Sequence, residues 1–189
     1  MTGKTKIGIF AGVFIIFIVI CVLLYAYLQD KATRPPIASP SQTETTDEKD
    51  EKPMAADFAV FDGEGKEIRL SDMVGMPVVL NFWASWCGPC KVEMPDFNKV
   101  HAELGQEVQF MMVNLTDGQR ETQETAKDYI LDQGFSFPVF FDTMGEAARA
   151  YEISSIPTTV FIDKDGRVMG SMKGTIDEDS LRAGIEMIR

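Results

Sequence analysis

The feature that most limits how this chain can fold is an apolar run that ends in two cysteines. Pro77 to Trp83 carries Val78, Val79, Leu80, Phe82 and Trp83, interrupted only by Asn81. Such a run reads as a strand buried on both faces, in the middle of a sheet. It leads directly to Cys87-Gly88-Pro89-Cys90, after which Phe97, Val100 and Leu104 repeat at helical spacing up to Gly105. The thiolate is the reactive form of cysteine, and a helix N-terminus favours it through free N–H groups and the helix dipole. Cys87 is therefore expected at the positive end of a helix, with its sulfur facing solvent. Cys90 should lie one turn further in, more shielded and within disulfide reach of Cys87. This placing predicts that Cys87 attacks a disulfide in a partner protein and that Cys90 then attacks Cys87, releasing the reduced partner.

The flanking sequence supplies a scaffold for that junction. Phe58–Phe61 and Glu67–Leu70 bracket Asp62-Gly63-Glu64-Gly65, a hairpin pattern. Val108–Leu115 reads as a second buried strand, and Ala126, Tyr129 and Ile130 mark a helix stopped at Gly134. Phe137–Phe141 is a short strand and Glu146–Tyr151 a short Ala-rich helix. Thr158–Ile162 and Val168–Met172 flank Asp163-Lys164-Asp165-Gly166, a second hairpin. Thr175-Ile176-Asp177-Glu178 reads as a capping box ahead of a helix with Leu181, Ile185 and Ile188 on one stripe. The expected fold is α/β, with a mixed central sheet flanked by helices.

The N-terminus predicts a different environment. Residues 7–28 carry no charge, and as a helix they extend about 33 Å, enough to cross a hydrocarbon core of about 30 Å. The run is longer than a signal-peptide core, no small-x-small site follows it, and Ile20 is too bulky for processing at Cys21. The expectation is an uncleaved anchor at 7–28 with a cytoplasmic stub at 1–6. Residues 29–52 should be a disordered acidic linker, given Pro35-Pro36, Pro40, a Ser/Thr/Gln stretch and Asp47–Lys52. The domain should occupy 53–189. Net charge of −11 excludes nucleic acid as a partner. A zinc site at the cysteine pair lacks its further ligands, the remaining candidates being His101 and Cys21. His101 reads as a surface residue without a role, and the chemistry calls for no cofactor.

The residues around the cysteines carry a resemblance. Trp86-Cys87-Gly88-Pro89-Cys90-Lys91, Pro95 and Ile156-Pro157-Thr158 resemble the active-site motif, helix proline and cis-proline loop of thioredoxins. The Asp57-Phe58 opening, Val78–Cys87, Glu93, an extra segment between about Asp117 and Asp142, and Asp163-x-x-Gly166 are similar to the membrane-anchored TlpA/ResA-like branch. The resemblance covers essentially 54–189. It implies a thioredoxin fold with an N-terminal β-hairpin, a central strand–helix insertion and an extracytoplasmic protein-disulfide reductase activity. Pro157 would be cis, with the backbone of Ile156 offered to an extended substrate. Trp83, Trp86, Gly88, Pro89, Ile156 and Thr158 would line the substrate face, the two Trp side chains forming an apolar rim, with Trp83 alternatively a core residue.

Asn81 stands where cytoplasmic thioredoxins carry a buried Asp, and an amide cannot shuttle a proton. Glu93, three residues after Cys90, resembles the branch's active-site glutamate, which would tune the thiols and take the proton of Cys90. The alternative for Glu93 is an ordinary solvated helix residue. The implied substrate is a protein disulfide, such as that of apocytochrome c, and the implied electron source a membrane donor of the CcdA/DsbD type, with the chain acting as a monomer. A disulfide-forming oxidant remains an alternative, as does an electron donor to an extracytoplasmic methionine sulfoxide reductase or peroxidase. A peroxiredoxin is disfavoured by Leu80 and Ala84 at its Pro and Thr/Ser positions. A Sco-type copper module is disfavoured by the C-x-x-C spacing and the absence of a His after His101.

Overall fold

The computed structural model describes residue 16, residues 18–25 and residues 52–189. Residues 18–25 are helical and exposed. The rest of the expected anchor, and the linker as far as residue 51, lie outside the described residues. Among the described residues no helix is long and apolar enough to cross a membrane. The chain separates into two units, Met1–Asp47 and Glu48–Arg189, and the second holds the sheet and the helices packed on it.

Seven strands form one mixed sheet in the order β2-β1-β5-β4-β3-β6-β7. They are β1 (Ala59–Phe61), β2 (Glu67–Arg69), β3 (Val78–Trp83), β4 (Gln109–Asn114), β5 (Val139–Phe141), β6 (Thr158–Ile162) and β7 (Val168–Lys173). Four helices accompany them: α1 (Gly88–Leu104), α2 (Gln123–Gln133), α3 (Glu146–Ala150) and α4 (Glu178–Glu186). The β1–β2 and β6–β7 hairpins are antiparallel, β3 and β4 are parallel, and β3 pairs antiparallel with β6. β3 is thus an interior strand, next to the middle strand β4, and all six of its residues are buried.

The period of two along β3 divides the core. Val79 and Trp83 pack with Met94, Phe97 and Val100 of α1 and Leu181 and Ile185 of α4. Val78, Leu80 and Phe82 pack on the other face with Phe58, Met111, Val113 and Ala147. Polar Asn81 therefore points to the α1 face, beneath the start of that helix. The inserted segment, α2 with β5, returns to the sheet because β5 pairs parallel with β4. Gly134 ends α2 in the left-handed region at φ 68°, where a side chain would be strained.

Two local expectations are corrected. Helix α4 is capped by Asp177, whose carboxylate accepts from the Ser180 N–H, rather than by Thr175. The Thr175 hydroxyl instead donates to the Pro89 carbonyl, tying the loop before α4 to the first turn of α1. His101 is not a surface residue either. It is half-buried, and its ring stands edge-on to Phe110 at 5.3 Å between centroids. Phe110 lies in the neighbouring strand, a contact no local pattern announces.

Gly184 of α4 packs closely against Phe161 of β6. A Cβ at Gly184 would overlap Cζ and Cε1 of the Phe161 ring. Alanine gains about 1 kcal/mol of helix propensity, while overpacking costs about 1–3 kcal/mol and more where the overlap is this deep. Gly184→Ala should lower the urea midpoint with an unchanged slope, a net loss of about 2 kcal/mol. A midpoint at or above that of the wild type would show that Phe161 moves aside freely.

Candidate active site

β3 ends at Trp83, and the chain turns through Ala84-Ser85-Trp86 to Cys87. The Cys87 N–H donates to the Ala84 carbonyl at 3.1 Å. Cys87 is the N-cap of α1, with its Sγ accepting from the Cys90 N–H at 3.2 Å. Pro89 in the first turn costs nothing, since its missing N–H is one the helix would leave free. The two cysteines are joined, with Cα atoms 5.3 Å apart. In this oxidised form Cys87 is 4 % exposed and Cys90 0 %. Cys87 is the more accessible of the two, yet it is largely covered rather than open to solvent.

The loop before β6 approaches from the other side. The Ile156–Pro157 bond is cis. The Ile156 carbonyl oxygen lies 3.7 Å from Cys87 Sγ, close enough to accept from that sulfur once it is a thiol. The Pro157 carbonyl is engaged by the Gly174 N–H. Thr158 is buried, and its hydroxyl donates to the Ser155 carbonyl at 2.8 Å, so its side chain is not free for a substrate. Trp83 is fully buried against Tyr129, at 6.1 Å between ring centroids. It supports the site from within and does not form the rim, because its position in β3 turns it toward α1. Trp86 is 41 % exposed, and Gly88 and Pro89 are exposed beside it. With half-buried Ile156, these make the accessible border of the disulfide.

Glu93 is 1 % exposed. One helical turn beyond Cys90, it faces inward beside Asn81 rather than out to water. Asn81 Nδ2 donates to one carboxylate oxygen at 2.9 Å, and the Ile176 N–H donates to the other at 3.0 Å. The same Nδ2 donates to the Thr159 hydroxyl oxygen at 3.0 Å. Burial pushes the Glu93 carboxyl up to about 7 from an ordinary 4.5, and the two donors offset only part of that cost. Of the two readings open for Glu93, the solvated helix residue is excluded.

A second buried carboxylate was not legible in the sequence. Glu121, 0 % exposed, accepts from the Ser85 N–H and the Ser85 hydroxyl, both at 2.7 Å, and from Asn114 Nδ2 at 2.6 Å. It fixes the turn that carries Trp86 and Cys87. Its own segment, Asp117-Gly118-Gln119-Arg120, reads as a solvated turn. Only the fold, by bringing Ser85 to it, gives Glu121 a task.

The AhpC/TSA family matches residues 52–171. The thiol-disulfide oxidoreductase ResA of Geobacillus thermodenitrificans is 34 % identical over 136 residues, covering 71 % of this chain and 76 % of that protein. The chain belongs to the ResA thiol-disulfide oxidoreductases. Solved relatives agree with this oxidoreductase in fold. A Chlorobium tepidum protein assigned as thiol:disulfide interchange protein DsbE superimposes with a TM-score of 0.65 at 31 % identity, covering 74 % of this chain and 98 % of that one. The exposed lipoprotein thioredoxin Etrx1 of Streptococcus pneumoniae gives 0.58 at 33 % identity, over 69 % of this chain and 99 % of that one.

The raised carboxyl of Glu93 makes stability depend on pH. Folding favours its neutral form, so its contribution is fully present below about pH 4.5 and is lost as pH rises through about 7. Between those limits the wild type should lose up to about 3 kcal/mol that Glu93→Gln does not lose. Urea unfolding of both oxidised proteins across that range checks this. Parallel curves would mean that Glu93 titrates normally.

Proposed function

We propose that this oxidoreductase is a membrane-anchored, extracytoplasmic reductase of protein disulfides, cycling between a Cys87/Cys90 dithiol and the Cys87–Cys90 disulfide. The observation that carries the reading is the pairing of an N-cap cysteine at an accessible border with a buried carboxylate one turn behind its partner cysteine. A carboxyl near 7 is matched to accepting a thiol proton at neutral pH.

Cys87 is the nucleophile. As a thiolate, stabilised by the start of α1, it attacks one sulfur of the partner's disulfide, and the partner's other sulfur leaves as a thiolate. Cys90 then gives its proton to the Glu93 carboxylate and attacks Cys87 Sγ. The Cys87–Cys90 bond forms, the mixed disulfide breaks, and the partner departs with two reduced sulfurs. Trp86, Gly88, Pro89 and the Ile156 backbone form the contact face, and Pro157 holds Ile156 there. Two electrons must then return to the pair from a membrane dithiol carrier of the CcdA/DsbD type.

The uncharged run at 7–28 supports an anchor, with 1–6 inside, 29–52 as tether and 53–189 as the catalytic domain. The name of the pneumococcal relative, an exposed lipoprotein, supports an outward-facing domain. The proposed substrate is an exported thiol protein such as apocytochrome c, met by a monomeric domain.

Cys90→Ser should accumulate a mixed disulfide through Cys87, recoverable on a non-reducing gel, while Cys87→Ser should accumulate none. The reduction potential of the wild-type pair should fall at or below roughly −250 mV, in the range of reducing thioredoxins. A value near the roughly −120 mV of strong oxidants would reverse the assigned direction.

A further inference from the structure

Two cations flank the redox motif, and each is seated on an aromatic ring rather than on an acid. The Arg120 guanidinium lies 3.6 Å from the centre of the Trp86 ring, and Lys91 Nζ lies 4.8 Å from that of Tyr129. The two contacts run in opposite senses between the same pair of segments. Arg120 comes from the turn after β4 and covers a residue of the cysteine loop. Lys91 comes from the cysteine helix and covers a residue of α2. Several other basic side chains meet carboxylates, Arg69 with Asp57, Lys99 with Glu178 and Arg182 with Glu103 and Glu178, while Lys127, away from the motif, lies over Phe141 and bonds the Gly63 carbonyl. Among the described residues neither the Arg120 nor the Lys91 side chain forms a hydrogen bond or close ion pair with an acid, Asp117 acting on Arg120 only through its charge.

The turn that carries Arg120 is held firmly. Asp117 Oδ1 accepts from the N–H groups of Gln119, Arg120 and Glu121, at 2.8, 2.8 and 2.9 Å. Glu121 in turn is locked beneath Ser85. The two acids of this turn are thereby engaged elsewhere, Glu121 by Ser85 and Asp117 by backbone N–H groups, although the Asp117 charge still acts on Arg120. Stacking uses the face of the guanidinium and leaves its N–H edge free, the geometry that receives a carboxylate side-on. Trp86 is the residue before Cys87, so Arg120 borders the loop that carries the sulfur which meets the partner.

We propose that Arg120, with Lys91, forms a cationic rim that selects partners carrying a carboxylate next to their disulfide. This rests on the proposed exchange reaction and names a chemistry for its substrate: an acidic segment of an exported protein, approaching from the α2 side of the motif. The selection is local, since a domain of net negative charge repels an acidic partner at long range. Rim charges of this kind act on encounter and KM more than on the chemical step.

The test uses three peptides of one sequence, each closed by a disulfide and flanked by Glu, Gln or Lys. The readout is single-turnover oxidation of the reduced protein, followed by Trp86 and Trp83 fluorescence. The wild type should favour the Glu over the Gln peptide by roughly fivefold and disfavour the Lys peptide. The Glu-to-Gln rate ratio should fall to about one in Arg120→Gln and below one in Arg120→Glu, while Arg120→Lys retains part of it. The change should appear in the concentration dependence and not in the saturated rate. The ratio should also shrink between about 0.01 and 1 M salt, as the screening length falls from about 30 to 3 Å. Equal rates for the three peptides in the wild type would overturn the rim alone. No exchange with any of them would overturn the exchange reaction and the rim with it.

Discussion

Placing a carboxylate inside the α1 face of the sheet is the constraint around which the site is assembled. Glu93 loses nearly all contact with water, and a buried charge is tolerated only where donors meet it. The donors come from two parts of the chain, Asn81 from β3 and the Ile176 N–H from the loop before α4, and Thr159 of β6 holds the same amide by accepting from it. Satisfying Glu93 therefore requires α1 to sit over β3, α4 to follow the β6–β7 hairpin closely, and β6 to lie beside β3. That is the geometry that carries the cis Ile156–Pro157 bond to Cys87. The redox pair and its carboxylate are positioned by one set of contacts.

Glu93 and Glu121 show how the number of donors decides what a buried carboxylate does. Glu121 has three donors, two from Ser85 and one from Asn114, all at 2.7 Å or less. Hydrogen bonds of that number and length suit a brace that stays in place. Glu93 has two, at 2.9 and 3.0 Å, and burial outweighs them, so its proton is near balance at neutral pH. One carboxylate holds the cysteine loop still. The other is left able to exchange a proton while the loop stays still.

Much of the scaffold was legible because it depends on local pattern. The apolar run of β3, the Asp-Gly and Gly-x-Gly turns of the two hairpins, and the glycines ending α1 and α2 each act over a few residues. The cysteine pair was legible for the same reason. What escaped depends on contacts between distant residues. Ser85 and Glu121 are 36 positions apart, and Glu93 and Ile176 are 83 apart. Nothing in Asp117-Gly118-Gln119-Arg120-Glu121 distinguishes its last residue from a solvated acid, whereas the inward Trp83 belongs to the apolar run already read as buried. The misplaced cap before α4 has a similar origin: Thr175 and Asp177 are both good caps, and Thr175 was taken by Pro89 across the helix interface.

The amide at Asn81 explains why a single titrating group is enough. An aspartate there would face Glu93 across 2.9 Å, and two carboxylates that close cannot both ionise, so one would be driven far above neutrality. The amide imposes no such charge. Its Nδ2 donates to both Glu93 and Thr159, while its Oδ1 has no partner among the described residues. That arrangement fits an ionised Glu93. Once Glu93 holds a proton, its O–H becomes a donor facing a donor. A half-turn of the amide then sets Oδ1 between two hydroxyl donors, those of Glu93 and Thr159. An amide can serve either state of its neighbour by rotating, which a carboxylate can do only by taking up a proton itself. Asn81 thus lets Glu93 gain and lose a proton without a second ionisable group beneath the cysteines.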